Sequence, residues 1–353
     1  MKILSVVGAR PQFVKLAPIH HAAKAAGVDH VIVHTGQHYD PMLSDVFFDD
    51  LGIGAPDVHL GVGSGSHGVQ TGAMLAALDA VFDEHRPDWV LVYGDTNSTV
   101  AAALSAVKMH IPLAHLEAGL RSFNRRMPEE HNRVMTDHAA DLLLAPTQVA
   151  VDHLTREGLA DRTILVGDVM TDVLLATRAE VLTSVLLAEL GLAQGEFYLA
   201  TIHRAENTDD PQRLEELVEG LAGLDRPVVL LAHPRVVAKA AAYGIDLTRG
   251  GLIAHAPLAY PDLIAAALAS AGVITDSGGL QKEAFLLGVL CTTVRTETEW
   301  VETVRLGWNV LANTAGEIAA AAMRPIPPAS EEAPYGDGHA AERVIAVLAD
   351  ARG

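Results

Sequence analysis

A single cysteine, Cys291, stands in the 353-residue chain, so no intramolecular disulfide can form. It lies in the apolar stretch 289–294, a setting for a buried structural thiol rather than a nucleophile. Basic residues are in deficit as well: 25 Lys and Arg against 44 Asp and Glu leave a net charge of −19. That balance argues against nucleic acid and against an anionic membrane surface as partners. No uninterrupted apolar run approaches the roughly 18 residues that cross a bilayer. The few residues before Gly8 are too short for a signal peptide, and a soluble, cytoplasmic protein is expected. There is no Walker A sequence. Seventeen histidines show no HExxH or Cys/His metal spacing, so no catalytic metal is expected. The stretch Gly63-Ser64-Gly65-Ser66-His67-Gly68 has dinucleotide-fingerprint spacing but only a weak strand before it; it reads as a substrate-lining loop rather than a nicotinamide site.

What is present is rhythm. Short apolar runs ending in Gly, Asp, Glu or Pro alternate with segments of helical period. Strands are expected at 3–7, 30–34, 89–93, 113–116, 142–145 and 164–166, and again at 198–202, 228–232, 252–254, 272–275, 289–294 and 310–312. Helices fit between most of them, for example at 99–110, 212–223 and 280–287. Such alternation means parallel sheets covered on both faces: an α/β protein of two doubly wound, Rossmann-like domains rather than one barrel. Length agrees, because single cores stop growing near about 250–300 residues. The boundary is expected within 168–195, giving an N-terminal domain over 1–168 and a C-terminal domain over 169–339. Residues 325–338 read as a loop, and 340–351 as a last helix that is a candidate to complete the first domain. In such folds ligands sit at the carboxyl ends of the strands, here expected in the central cleft between the domains.

The residues suited to chemistry lie at those strand ends. Gly8-Ala9-Arg10-Pro11 follows the first strand directly, with Pro11 at a helix-start position. Free backbone N–H groups, the helix dipole, Arg10 and Lys15 one turn on would face one spot, which suits an anion, above all a phosphate. In so acidic a chain that site is a local basic island. Nineteen of the 25 basic residues are arginines, which make forked phosphate contacts.

Three carboxylates then follow strands: Asp95 in Gly94-Asp95-Thr96-Asn97-Ser98, Glu117 in Glu117-Ala118-Gly119-Leu120-Arg121, and Glu129 beside Pro128 at a helix start. Each has a plainer reading: Asp95 as a helix cap, Glu129 as a complement to a dipole, Glu117 as an arginine partner. All three landing on the edge that carries Arg10 points to acid–base work. In the second half, His203-Arg204 ends a strand, and Asp276-Ser277-Gly278-Gly279 opens a helix whose N–H groups suit a diphosphate. Glu283, six residues past Ser277 and inside that helix, suits ribose hydroxyls.

Taken in order, GARPQFVKLAP, TGQHYD, GSGSHGVQT, GDTNST, HLEAGLRS, PEEHNR, HRAEN and TDSGGLQKEA resemble the non-hydrolysing UDP-N-acetylglucosamine 2-epimerases over roughly residues 1–312. The resemblance implies a fold of the GT-B type and a cytoplasmic, usually dimeric enzyme. It implies a UDP-sugar substrate and no cofactor. The implied reaction interconverts UDP-N-acetylglucosamine and UDP-N-acetylmannosamine by anti elimination of UDP to 2-acetamidoglucal, followed by re-addition. Carried over by motif position, Asp95, Glu117 and Glu129 are the acid–base groups, and His203 stabilises the departing diphosphate. Arg10, Lys15, Ser277, Gly278, Gly279 and Glu283 would bind UDP, with Arg133 and Arg204 as further binding candidates.

Two positions depart from the family pattern. Trp300 stands where an arginine often contacts ligand, and Asp40 replaces a glutamine associated with a regulatory second substrate site in some members. Alternatives remain: a hydrolysing variant that releases N-acetylmannosamine and UDP, a 2-epimerase of a modified UDP-sugar such as a 2,3-diacetamido uronic acid, a glycosyltransferase of the same architecture, and a nucleotide-sugar-binding protein without activity.

Overall fold

The computed structural model describes residues 1–37, 48, 52–180, 185–328 and 332–351; of Arg10, Glu180 and Val185 it describes the backbone alone. Thirteen strands form two parallel sheets. The first holds β1 (Lys2–Val7), β2 (Asp29–His34), β3 (Val58–His59), β4 (Trp89–Tyr93), β5 (Leu113–Leu116), β6 (Leu142–Ala145) and β7 (Thr163–Leu165), in the order β3-β2-β1-β4-β5-β6-β7. The second holds β8 (Tyr198–Thr201), β9 (Val228–Leu231), β10 (Leu252–His255), β11 (Gly272–Thr275), β12 (Cys291–Thr293) and β13 (Asn309–Leu311), in the order β10-β9-β8-β11-β12-β13. Both orders are doubly wound, the α/β architecture expected from the alternation.

Each sheet has a separate apolar cluster on each face, as helices on both sides require. In the first, Val7, Leu91 and Leu116 pack on one face and Val6, Val92 and Leu143 on the other. In the second, Ala200, Leu230 and Ile274 oppose Leu199, Val229 and Val273. Cys291 is buried in the latter cluster, and burial pushes its thiol up to about 12, far from a reactive thiolate. Among the described residues no helix is long and apolar enough to cross a membrane.

The chain divides into two compact units, residues 1–173 with 333–353, and residues 174–332. The second unit thus ends before 339, because the segment around Tyr335 belongs to the first: Asp168 N–H and Thr171 Oγ1 both donate to the Tyr335 carbonyl. Helix Ala340–Asp350 starts on Asp172, whose carboxylate accepts from the N–H groups of Ala340 and Ala341 at 3.1 and 2.7 Å. It ends on Trp89, whose Nε1 donates to the Leu348 carbonyl at 3.1 Å.

One polar line runs through the first unit. Ser5 Oγ, in β1, lies 2.8 Å from His30 Nε2 and 2.7 Å from the Tyr93 hydroxyl, and His30 Nδ1 faces His20 Nδ1 at 3.2 Å. Burial first, and then His20, push His30 down to about 4 against the weaker opposing pull of Asp29. In an unfolded chain the same imidazole titrates near 6.5. As pH falls from 6.5 towards about 4, the unfolded chain takes up a proton that the fold refuses, so stability declines; above that window His30 contributes no pH dependence. His30→Gln is therefore expected to remove roughly 2 kcal/mol of this acid-side loss. Urea unfolding across the window checks it, and an unchanged slope in the variant would count against it.

Candidate active site

Each sheet order reverses at one place, between β1 and β4 in the first unit and between β8 and β11 in the second. Loops that leave the carboxyl ends at such a reversal diverge and open a crevice for a ligand.

In the first unit the register pairs Tyr93 with Leu116, and Gly94 N–H donates to the Leu116 carbonyl at 3.1 Å. Asp95 and Glu117 therefore leave adjacent strand ends. Glu117 holds a left-handed backbone, φ +69°, which is strained for a side chain of its size. Its buried carboxylate pairs with Lys15 on helix Arg10–Ala25. Gly94 makes the pairing possible. Its φ is +60°, and a Cβ there would stand 3.1 Å from Glu117 Oε2 and 3.7 Å from Lys15 Nζ. Burial alone would lower Lys15, but Glu117 beside it, with Asp168 and Asp95 farther off, holds it above its ordinary value.

Asp95 does not cap a helix. Helix Asn97–Lys108 starts two residues earlier than its apolar period suggests, because Thr96 Oγ1 accepts from Thr99 N–H at 3.3 Å. Asp95 pairs instead with Arg133 on helix Pro128–Ala139. The other arm of Arg133, Nη1, donates to Glu130 Oε2 at 2.8 Å. Burial pulls Arg133 down, and the two carboxylates more than offset it. Glu130 is structural, for it also accepts from Ser122 N–H, Ser122 Oγ and Phe123 N–H at 2.8 to 3.0 Å. Glu129, exposed in the same first turn, has no hydrogen-bond or ion-pair partner among the described residues.

The turn after β1 differs from its expectation. The N–H groups of Gly8 and Ala9 are not free, because Gln12 Oε1 accepts from both, at 2.8 and 3.0 Å. Gln12 Nε2 meanwhile donates to the Tyr93 carbonyl and to Thr99 Oγ1. An anion at this turn would depend on side chains, and Lys15 is already paired. The Arg10 side chain and Asp40 lie outside the described residues.

In the second unit one buried carboxylate organises the crevice. Asp276, with no exposed surface, accepts from His203 N–H at 3.0 Å, Arg204 N–H at 2.9 Å and Asn207 Nδ2 at 3.1 Å. His203 Nδ1 stands 3.1 Å from its Oδ1, which turns Nε2 of the half-exposed imidazole away from that oxygen. Burial alone would raise Asp276, but these donors hold it below the ordinary carboxylate range. Arg204 Nε donates to the Asp276 carbonyl at 2.8 Å. Helix Gly278–Leu287 begins just beyond, and among the described residues the N–H groups of Gly278, Gly279 and Leu280 have no partner. A Cβ at Gly278 would collide with Glu299 Oε1, the movable end of a part-exposed side chain. Ser277 N–H donates to Thr275 Oγ1 at 2.9 Å. Glu283 is buried in that helix and accepts from the Tyr260 hydroxyl at 3.0 Å.

Trp300 brings no charge of its own, yet Lys282 Nζ stands 4.6 Å from its ring centroid, so a cation remains beside this position. Sequence reasoning did not single out Asp276 or Gln12, although both lie inside motifs it quoted. Among the described residues no three His, Cys, Asp or Glu side chains gather to hold a metal ion.

Known proteins resemble this chain over its whole length. The sequence profile of the UDP-N-acetylglucosamine 2-epimerase family matches residues 20–349. The UDP-2,3-diacetamido-2,3-dideoxy-D-glucuronate 2-epimerase of Pseudomonas aeruginosa is 45% identical over 362 residues, 99% of each chain. The UDP-N-acetylglucosamine 2-epimerase of Methanocaldococcus jannaschii is 37% identical over 363 residues, again 99% of each. A crystal structure of the M. jannaschii enzyme in complex with UDP-GlcNAc and UDP superposes with a TM-score of 0.83 at 35% identity, covering 99% of this chain and 100% of that one. A family profile over most of the chain, full-length relatives above 30% identity and the shared two-sheet fold show that the chain belongs to the UDP-N-acetylglucosamine 2-epimerase family.

Proposed function

We propose that this chain is a non-hydrolysing 2-epimerase that interconverts UDP-N-acetylglucosamine and UDP-N-acetylmannosamine. The observation that carries the reading is the pair of carboxylates on adjacent strand ends, Glu117 against Lys15 and Asp95 against Arg133, with Glu129 exposed on the helix that supplies Arg133 and without a partner among the described residues. Epimerisation at C2 demands a base on one face of the sugar and an acid on the other. A carboxylate takes the C2 proton, the C1–O bond breaks as its electron pair leaves with UDP, and a C1–C2 double bond forms. A proton delivered to the opposite face of C2 and return of the UDP oxygen to C1 complete the inversion. Asp95, Glu117 and Glu129 serve these proton transfers.

UDP has to stay bound throughout. The N–H groups of Gly278 and Gly279, open among the described residues, with Ser277 and Arg204, hold its diphosphate, and Glu283 holds the ribose. His203, oriented by Asp276, meets the charge that develops on the leaving oxygen.

The 45% identity to a UDP-2,3-diacetamido-2,3-dideoxy-D-glucuronate 2-epimerase favours a second reading, the same chemistry on that uronate. Proton NMR in D2O, with each UDP-sugar offered separately and no metal, NAD or acceptor, decides between them. The expected result is deuterium at C2 and UDP-N-acetylmannosamine appearing from UDP-N-acetylglucosamine. Turnover of the uronate alone would move the assignment to the second reading. Free N-acetylmannosamine with UDP would establish a hydrolysing enzyme.

A further inference from the structure

Behind the two strand ends lies one buried histidine. His115, in β5 two residues before Glu117, has no exposed surface. Its Nε2 lies 2.7 Å from the Gly94 carbonyl oxygen and its Nδ1 lies 2.6 Å from Asp137 Oδ1. Asp137, on helix Pro128–Ala139, is equally buried. Its other oxygen accepts from Gly119 N–H at 3.1 Å and from Arg121 Nη1 at 2.7 Å. Arg121 continues to Glu157 through two bonds of 2.8 Å, and Glu157 meets His138 at 3.2 Å. Gly94 immediately precedes Asp95, and Gly119 follows Glu117 by two residues. One histidine–aspartate pair therefore grips both carboxylate-bearing loops at glycines, beside the bonds of Gly94 N–H to the Leu116 carbonyl and of His153 Nδ1 to the Gly119 carbonyl.

The protons in this cluster are set by its acceptors. A carbonyl oxygen only accepts, so Nε2 carries a hydrogen. Burial alone would raise Asp137, but His115 and Arg121 beside it hold it below the ordinary carboxylate range. The 2.6 Å contact between Nδ1 and Asp137 Oδ1 holds one hydrogen as well. The Arg121 guanidinium meets both Asp137 and Glu157, as burial of charge requires.

We propose that His115, bridging the Gly94 carbonyl and Asp137, is a positioning residue for Asp95 and Glu117. The inference rests on the acid–base reading of those two carboxylates. His115 has no exposed surface to offer a sugar; it acts by fixing where the two loops leave their strands, and small displacements of reacting groups are expensive in rate.

Nitrogen-15 NMR of the full-length chain labelled at histidine tests the state, and kinetics test the role. His115 Nε2 is expected to carry a hydrogen that reports a bond to the Gly94 carbonyl, and Asp137→Asn is expected to shift the Nδ1 resonance. His115→Gln keeps a donor for Gly94 but loses the grip on Asp137. Its kcat on UDP-N-acetylglucosamine is expected to fall by about 10- to 100-fold, with KM and the affinity for UDP within about twofold of wild type. A merely structural role would not separate kcat from KM in this way. A wild-type spectrum in which His115 Nε2 carries no hydrogen overturns the proposal whether or not any variant folds. A folded His115→Gln chain with wild-type kcat overturns it while Asp95→Asn and Glu117→Gln remain inactive. Full turnover in those two variants would instead remove the acid–base reading, and the positioning role with it.

Discussion

Glu117→Gln and Asp95→Asn are each expected to lower epimerisation turnover by about 10²- to 10⁴-fold, the range that a positioned proton-transfer group contributes. Both substitutions keep the shape of the side chain and remove only its capacity to take and return a proton. Backbone effects are small by construction. Gln at 117 meets the same left-handed φ of +69° that Glu does, and Asn at 95 replaces a residue that caps no helix. The partners differ in what they lose. Lys15 would be left beside a neutral amide, whereas Arg133 would keep Glu130 at 2.8 Å. Glu117→Gln is therefore the variant with the larger structural side effect, and Asp95→Asn the cleaner test of chemistry. UDP affinity, measured by calorimetry, is expected to change little in either, since the proposed diphosphate and ribose contacts lie mainly on Ser277, Gly278, Gly279 and Glu283. Deuterium wash-in at C2 separates the steps further. A variant that has lost only the second proton transfer releases 2-acetamidoglucal and UDP, and one that has lost the first gives no exchange at all. Wild-type turnover in both variants and in Glu129→Gln would sink the assignment.

Why these carboxylates could be found without a structure, while their partners could not, has a physical reason. The strands Trp89–Tyr93, Leu113–Leu116, Leu142–Ala145 and Gly272–Thr275 are buried on both faces. Apart from His115 in the second of them, they therefore read as mainly apolar runs, and the polar residue that follows each run is on the ligand edge by topology. Asp95, Glu117, His203 and Ser277 announce themselves in this way. The two-residue edge strand Val58–His59 is too short to carry a period and was not expected. What sits beside a strand end depends on distant chain. Lys15 is 102 residues from Glu117, Arg133 is 38 from Asp95, and Asp276 is 73 from His203. Polar satisfaction also overrides a local expectation: the Gly8 and Ala9 N–H groups suit an anion by position, yet Gln12, inside the same motif, occupies them. A glutamine four residues past a turn gives no sign in sequence that it folds back onto it.

Asp276→Ala is expected to be the most destabilising single change at the second crevice, by about 3–5 kcal/mol, because removing one partner of a buried charged network strands the others. Four donors converge on this carboxylate: the backbone N–H groups of His203 and Arg204, Asn207 Nδ2, and His203 Nδ1. None gains a water in exchange unless the loop opens, since Asp276 has no exposed surface. Asp276→Asn keeps one acceptor oxygen and is expected to lose less, which separates loss of charge from loss of shape. The pH dependence has a definite sign. Asp276 is held below its ordinary value of 3.8, so the unfolded chain protonates it first on acidification. Its contribution is fully present above that value and is lost as pH falls through the lowered one. The gap in urea stability between wild type and Asp276→Ala should therefore be constant from neutral pH down to the ordinary carboxylate range and close only below it. A gap that already closed above that range would mean that the Asp276 carboxylate does not hold the loop. UDP affinity is expected to fall alongside stability in both variants, because the loop that Asp276 anchors carries His203 and Arg204 on one side and leads into Ser277 and Gly278 on the other. Fold and ligand site in this unit hang on the same buried oxygen atoms.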